Sequence, residues 1–280
     1  MKFDLFDLHN IRFEIAFKSF DELRRILSFY TKNNIYKINI PCKSNLKKDF
    51  LLNSIKIAKY EFPEIDLIPH FSILHEFIRN RKNTEQSLIE FIQNIKFHGC
   101  SSFLLVSGSQ KRITFDTVLA LNFLKNNFLL SNNDFLIGVA FNPYLPDDLF
   151  EIEIRRLGEK IKSGMVNSIW FQFGTDNKLL ERRIVIIKDI VSSALENKVI
   201  KSRIFLYGSV LIPSKQFLSR FKYRPWKGVY CSDDFLNSVD SANNIVIQLL
   251  KTYKKFDIIP IIETDSSTNK KLYSLSNIFK

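Results

Sequence analysis

The sequence predicts a (β/α)8 TIM barrel of the α/β class. Eight short runs rich in β-branched and aromatic residues recur along the chain, mostly separated by stretches of helical periodicity. The runs are near-continuously apolar rather than alternating, as expected of parallel strands covered on both faces. The rival, a doubly wound open sheet, lacks its signature: the first run continues into KSFDEL with no Gly-x-Gly-x-x-Gly turn, and no Walker loop occurs. A length of 280 residues suits one barrel of about 250 residues with modest additions.

Taken in order, IRFEIAF (11–17) is the first strand. SFDELRRILSFYTKNN follows as a helix, with Ser19 as its cap and Glu22 three residues on in capping-box spacing. IYKINI (35–40) and IDLIPHFS (65–72) are the second and third strands. TEQSLIEFIQNIKFHG reads as a helix starting at a Thr84 cap and stopping at Gly99, ahead of the fourth strand, SFLLVSG (102–108). FLIGVAFN (135–142) precedes the helix DDLFEIEIRRLGEKIKSG, which ends at Gly164, and VNSIWFQF (166–173) is the sixth strand. The helix KLLERRIVIIKDIVSSALENK leads to SRIFLYGSV (202–210), and SANNIVIQLLKTYKK to the last strand, FDIIPII (256–262). Residues 222–240 and 264–280 are the least regular. No linker divides residues 1–280, so one barrel domain is expected, with a polar tail from about 264 ending in a short helix.

At 45% apolar residues the chain can bury a large core, and nothing in it suggests disorder. Three scattered cysteines, Cys42, Cys100 and Cys231, form neither a disulfide framework nor a metal-binding pair. No two His or Cys share ligand spacing, so no metal is expected. The N-terminus has acids inside its apolar stretch and makes a poor signal peptide, and no uncharged run is long enough to span a membrane. A soluble, cytoplasmic protein is expected, with homo-oligomerisation left open. The net charge of +12 raises a polyanion-binding reading. The basic residues are dispersed over different connections without interleaved aromatics, so a nucleic-acid partner is not expected.

In such barrels chemistry sits at the C-terminal ends of the strands. Those positions hold Glu14, Asn39, His70 with Ser72, Ser107 to Ser109, Phe141 with Asn142, Gln172, Tyr207 and Glu263. Glu14 interrupts a strand that would otherwise be plain core. A carboxyl group there must be paired, or have a raised pKa that fits it for general-acid work. Gln172 poses a similar question, since a buried amide without a partner costs about 1–3 kcal/mol. It either bonds inside the fold or faces a ligand. Plainer roles stand beside these: a structural ion pair for Glu14, a core position for His70, Trp170 and Phe173, and solvent for Lys160.

The strand ends resemble those of the methylenetetrahydrofolate reductase family. KIKSGMVNSIWFQFGTD is similar to the family's Lys-x-Asp-Ala-Gly-Ala helix end and Thr-Gln-Phe-Phe-Phe-Asp strand, with Lys160, Gly164, Gln172, Phe173 and Asp176 in register. FEIAF resembles its Phe-Glu-Phe-Phe, IPHFS its Pro-His-Leu-Thr, LLVSGS its Leu-Arg-Gly-Asp, and GVAFNPYLPDD its Ala-Tyr-Pro-Glu-x-His-Pro-Glu. The collinear matches span nearly the whole chain. The resemblance implies a barrel that holds FAD and reduces methylenetetrahydrofolate with NAD(P)H, in the one-carbon metabolism that feeds methionine biosynthesis. It implies Glu14 as the general acid that opens the methylene bridge, and Gln172 with Phe173 at the folate. It places Asn39, His70, Ser107, Ser109, Phe141, Glu153, Arg156 and Lys160 around the flavin.

The sequence also departs from that family. Both charges of Leu-Arg-Gly-Asp are lost at Ser107 and Ser109, the tyrosine under the flavin is Phe141, and a histidine is Leu145. A cofactor-contacting asparagine and arginine become Arg156 and Glu159. Losing several charge-assisted contacts, each worth about 1.5–3 kcal/mol, predicts FAD that is weakly held or lost. The expected function is therefore a methylenetetrahydrofolate reductase-like oxidoreductase acting on a tetrahydrofolate derivative. The alternative is a flavin-less folate-binding or accessory protein that partners a methyltransferase.

Overall fold

Eight parallel strands close into a barrel in chain order, β1 pairing with both β2 and β8, in a computed structural model that describes residues 7, 10–42, 48–76, 80–107, 115–126 and 135–279. The strands are β1 (Arg12–Glu14), β2 (Lys37–Ile40), β3 (Asp66–Ser72), β4 (Ser102–Val106), β5 (Leu136–Phe141), β6 (Val166–Phe171), β7 (Phe205–Val210) and β8 (Ile258–Ile262). Each lies within its expected run. The helices are α1 (Phe20–Lys32), α2 (Lys48–Glu61), α3 (Ile73–Glu76), α4 (Arg81–Phe97), α5 (Thr117–Asn126), α6 (Asp147–Lys162), α7 (Asn177–Glu196), α8 (Lys215–Tyr223), α9 (Asp233–Asn237), α10 (Val239–Phe256) and α11 (Asn269–Phe279).

Local chemistry sets the helix boundaries. Ser19 caps α1 by accepting from the Glu22 N–H, while the Glu22 carboxylate reaches back to the Lys18 N–H rather than to Ser19 itself. Gly164 follows α6 with φ +73°, a left-handed conformation that favours glycine, and its N–H closes on Ile161 O. The Thr84 cap is not observed. Asn80 caps α4, and Thr84 lies buried inside the first turn with its hydroxyl bonded back to Asn80 O. The helix expected at the end of the C-terminal tail is α11, which buries Leu275 and Phe279.

Two apolar layers result. The larger lies between strands and helices, and a smaller one fills the barrel with Ile68, Leu104, Trp170 and Ile261, flanked by Val106 and Tyr207. Trp170 stacks on Tyr207 with ring centroids 4.4 Å apart and donates to Ser168 Oγ at 2.8 Å. A bulge between β5 and β6 sets this arrangement. The register skips Asn167, whose side-chain oxygen accepts the Ile137 N–H at 2.9 Å in place of a ladder bond. From Ser168 onward the even-numbered residues of β6 face the barrel axis, so Gln172 follows Ser168 and Trp170 inward.

Candidate functional site

A cavity of about 640 Å3 opens at the C-terminal rim. Its lining includes Ser72, Val106, Ser107, Ala140, Gln172, Arg156 and Lys160. Gln172 donates its backbone N–H to Phe141 O, which holds the strand end in place, while its half-buried side chain forms no hydrogen bond within the described residues. The amide lines the cavity and has no internal partner among the described residues.

A polar column enters the rim from below. Arg12 is 2% exposed, and its Nε donates to Asn39 Oδ1 at 2.8 Å. Its two amino groups reach Asp66 Oδ2 at 2.5 Å, Asp66 O at 2.8 Å and Ile38 O at 3.1 Å. Asn39 Nδ2 meets His70 Nε2 at 3.2 Å, and His70 Nδ1 lies 4.0 Å from Glu14 Oε2. The His70 and Glu14 side chains are 10% and 18% exposed, so the column surfaces at the barrel mouth. His70 also meets Trp170 edge-on. Ser72, the next inward residue of β3 above His70, already lines the cavity.

Two ion pairs lie on the charged wall of the cavity. Arg156 Nη2 donates to Asp116 Oδ2 at 2.7 Å. Burial works against the Asp116 carboxylate, but hydrogen bonds from the Leu119 N–H and from Arg156 outweigh it and hold its pKa below the usual range. Lys160 is 5% exposed; its Nζ donates to Ala140 O at 3.0 Å and lies 3.5 Å from Glu153 Oε1. Burial pushes the Lys160 pKa down, partly offset by Glu153. Ser107 Oγ accepts the Thr117 N–H at 3.0 Å and pairs with the Thr117 hydroxyl, tying the end of β4 to the start of α5.

Arg183 shapes the loop after β5. It donates to Pro143 O and Leu145 O at 2.7 and 2.6 Å, pairs with Asp147, and stacks 3.9 Å from the Phe150 ring. That loop carries Asn142, whose amide bridges the cavity edge to Gly228 O at 2.8 Å.

No family model matches the chain, and no curated protein is similar to it in sequence. Solved structures do match in fold. One is an uncharacterised protein from Clostridium thermocellum that binds two copies of 5-methyl-5,6,7,8-tetrahydrofolic acid. It has a TM-score of 0.61 and 12% identity, over 96% of this chain and 93% of that one. Another is 2,3-dimethylmalate lyase, of the PEP mutase/isocitrate lyase superfamily, with a TM-score of 0.53 and 8% identity, over 96% and 78% of the two chains. The likeness is one of fold. This chain is a (β/α)8 barrel.

The barrel brings Glu14, Asn39 and His70 into one contact chain, and Ser107, Arg156, Glu153, Lys160 and Gln172 into one cavity wall. It does not bring Phe173 there. Phe173 is fully buried against Phe235, because neighbouring strand-end residues face opposite sides and Gln172 takes the inward one. Phe141 touches the cavity edge, but its ring packs in the outer core against Phe150 and Phe171. Ser109 lies outside the described residues. Two residues that order this region, Arg12 and Asp116, are not singled out by the sequence reading. Arg12 shares the parity of Glu14 two residues on, a signal that was there to read.

Among the described residues no three His, Cys, Asp or Glu gather to hold a metal ion, and no helix is long and apolar enough to cross a membrane. The residues expected around a flavin already make contacts within the protein. Arg156, Lys160 and Ser107 are each committed to a protein partner, and Phe141 is committed to the core.

Proposed function

We propose that the chain binds a reduced folate at this rim without FAD. Gln172 supplies the amide that pairs with the ligand, and Glu14 the carboxyl group at its one-carbon unit. The observation that carries this reading is the Gln172 side chain, held at the wall of the cavity with no hydrogen-bond partner among the described residues. Polar groups inside folds are normally paired, so a fixed amide at a cavity wall fits a ligand that completes it. The match of Glu14, His70 and Gln172 to the reductase pattern supports a folate as that ligand, as does the fold likeness to a protein that binds methyltetrahydrofolate. A panel of FAD, nicotinamides and reduced folates in thermal melts tests it: a reduced folate raises the melting temperature and FAD does not.

One observation favours a second reading, in which the bound folate is reduced. Glu14 lies 4.0 Å from an imidazole at the barrel mouth, a pairing that supports general-acid work by its carboxyl group. In that reading Glu14 protonates the amine leaving the methylene bridge, and NAD(P)H delivers hydride to the carbon of the resulting iminium, giving the N-methyl product and NAD(P)+. Consumption of NAD(P)H that depends on methylenetetrahydrofolate and is abolished in Glu14→Gln separates this from binding alone.

A further inference from the structure

We propose that Arg12, acting through Asn39, locks His70 in its Nδ1–H tautomer, so that the imidazole presents a donor to Glu14. The assignment follows from donor and acceptor inventories along the column. A guanidinium has only donors, so the Asn39 group 2.8 Å from Arg12 Nε is the amide oxygen. The Asn39 NH2 is thereby turned to His70, 3.2 Å from Nε2. That NH2 also only donates, so Nε2 carries a lone pair, and a neutral imidazole then holds its proton on Nδ1. Nδ1 is the nitrogen that faces Glu14 Oε2 at 4.0 Å. An imidazolium would set two N–H groups face to face at Asn39.

Arg12 cannot readily turn away. Asp66 and the carbonyls of Ile38 and Asp66 hold its two amino groups. The column is not a proton wire, because a guanidinium does not release its proton at working pH. It orients a ring. Arg12 and Asn39 are positioning residues, and their effect reaches the ligand only through the His70–Glu14 pair. A closure of about 1 Å on ligand binding would turn the 4.0 Å approach into a hydrogen bond, as often happens when sites tighten around substrate. The function of the lock rests on the folate reading of Glu14, but the lock itself can be measured with no ligand present.

The test is long-range 1H–15N correlation of the imidazoles in uniformly labelled, ligand-free protein. The chain has four histidines, and the His70 signals are assigned by their loss in His70→Gln. The expected spectrum shows a protonated Nδ1 and an unprotonated Nε2. Asn39→Asp replaces the NH2 with a second acceptor oxygen, so Nε2 should become protonated. Arg12→Lys keeps a pure donor and should retain the wild-type pattern. An Nε2–H neutral ring or an imidazolium in the wild type at neutral pH overturns the proposal. So does an unchanged Nε2 in Asn39→Asp whose melting shows that it is folded. If Asn39→Asp fails to fold, the wild-type spectrum and Arg12→Lys still decide. Loss of folate binding with the expected tautomer present would count against the proposed function and leave the lock standing.

Discussion

Trp170 lies so close to Gly138 that a β-carbon built there would meet the indole Nε1 at 2.4 Å. The indole cannot easily yield, being stacked on Tyr207 and bonded to Ser168. Gly138→Ala should therefore cost about 1–3 kcal/mol, the usual range for overpacking. In a Trp170→Phe background that penalty should shrink, leaving the smaller part due to Ser168 Oγ, which lies 2.9 Å from the same β-carbon position. Urea melts of the four proteins in the cycle check this, and equal penalties in both backgrounds would contradict the packing account.

Arg183 holds two carbonyls of the loop that carries Asn142. Arg183→Met removes the guanidinium, and with it the stack on Phe150 and every donor. Each buried carbonyl left without one should cost about 1–3 kcal/mol. Because Asn142 bridges to Gly228 across the cavity edge, ligand affinity should fall along with stability. A destabilised variant with unchanged ligand affinity would detach the loop from the site.

The sign of the Lys160 shift makes a pH prediction. Burial lowers its pKa in the fold, so between that lowered value and the ordinary 10.5 the unfolded chain binds the extra proton. Stability then rises with pH across that window. The double variant Lys160→Met, Glu153→Gln lacks this contribution. The wild type should gain stability relative to it as pH climbs through the window, read from paired melts. A pH-independent difference would mean that Lys160 is not desolvated as the structure has it.

Much of the barrel was legible because short, near-continuous apolar runs and helical periodicity are local signals, and all eight strands lie inside their expected runs. Gln172 and Glu14 stood out for the same reason, as polar groups in apolar strands. The errors arose where partners come from elsewhere in the chain. Arg12 reads as an ordinary strand residue until Asn39 and Asp66, 27 and 54 positions away, close around it. The family resemblance implies Phe173 at the ligand beside Gln172, whereas strand geometry turns two neighbours to opposite faces and the alternative core position is the one observed. Thr84 lost the cap to Asn80 because several residues in RNRKNTEQ can cap, and only the packed helix start distinguishes them.

The paired state of the wall makes a cofactor prediction. With Arg156 on Asp116 and Lys160 on Ala140 O and Glu153, protein purified without supplement should be colourless, and added FAD should leave its melting temperature unchanged. A yellow protein with stoichiometric flavin in its absorption spectrum would show that these pairs open for the cofactor.

Isothermal titration of flavin-free protein with 5-methyltetrahydrofolate, wild type against Gln172→Leu, tests the central claim most directly. The wild type should bind. The leucine variant should melt at the same temperature or slightly higher, since Gln172 loses no internal partner within the described residues, and should bind more weakly by about 1–3 kcal/mol. Gln172→Glu should be worse still for an anionic folate, because it adds charge at the rim that holds Glu14. A wild type that binds no folate without FAD, or a destabilised leucine variant with undiminished folate affinity, would contradict the account.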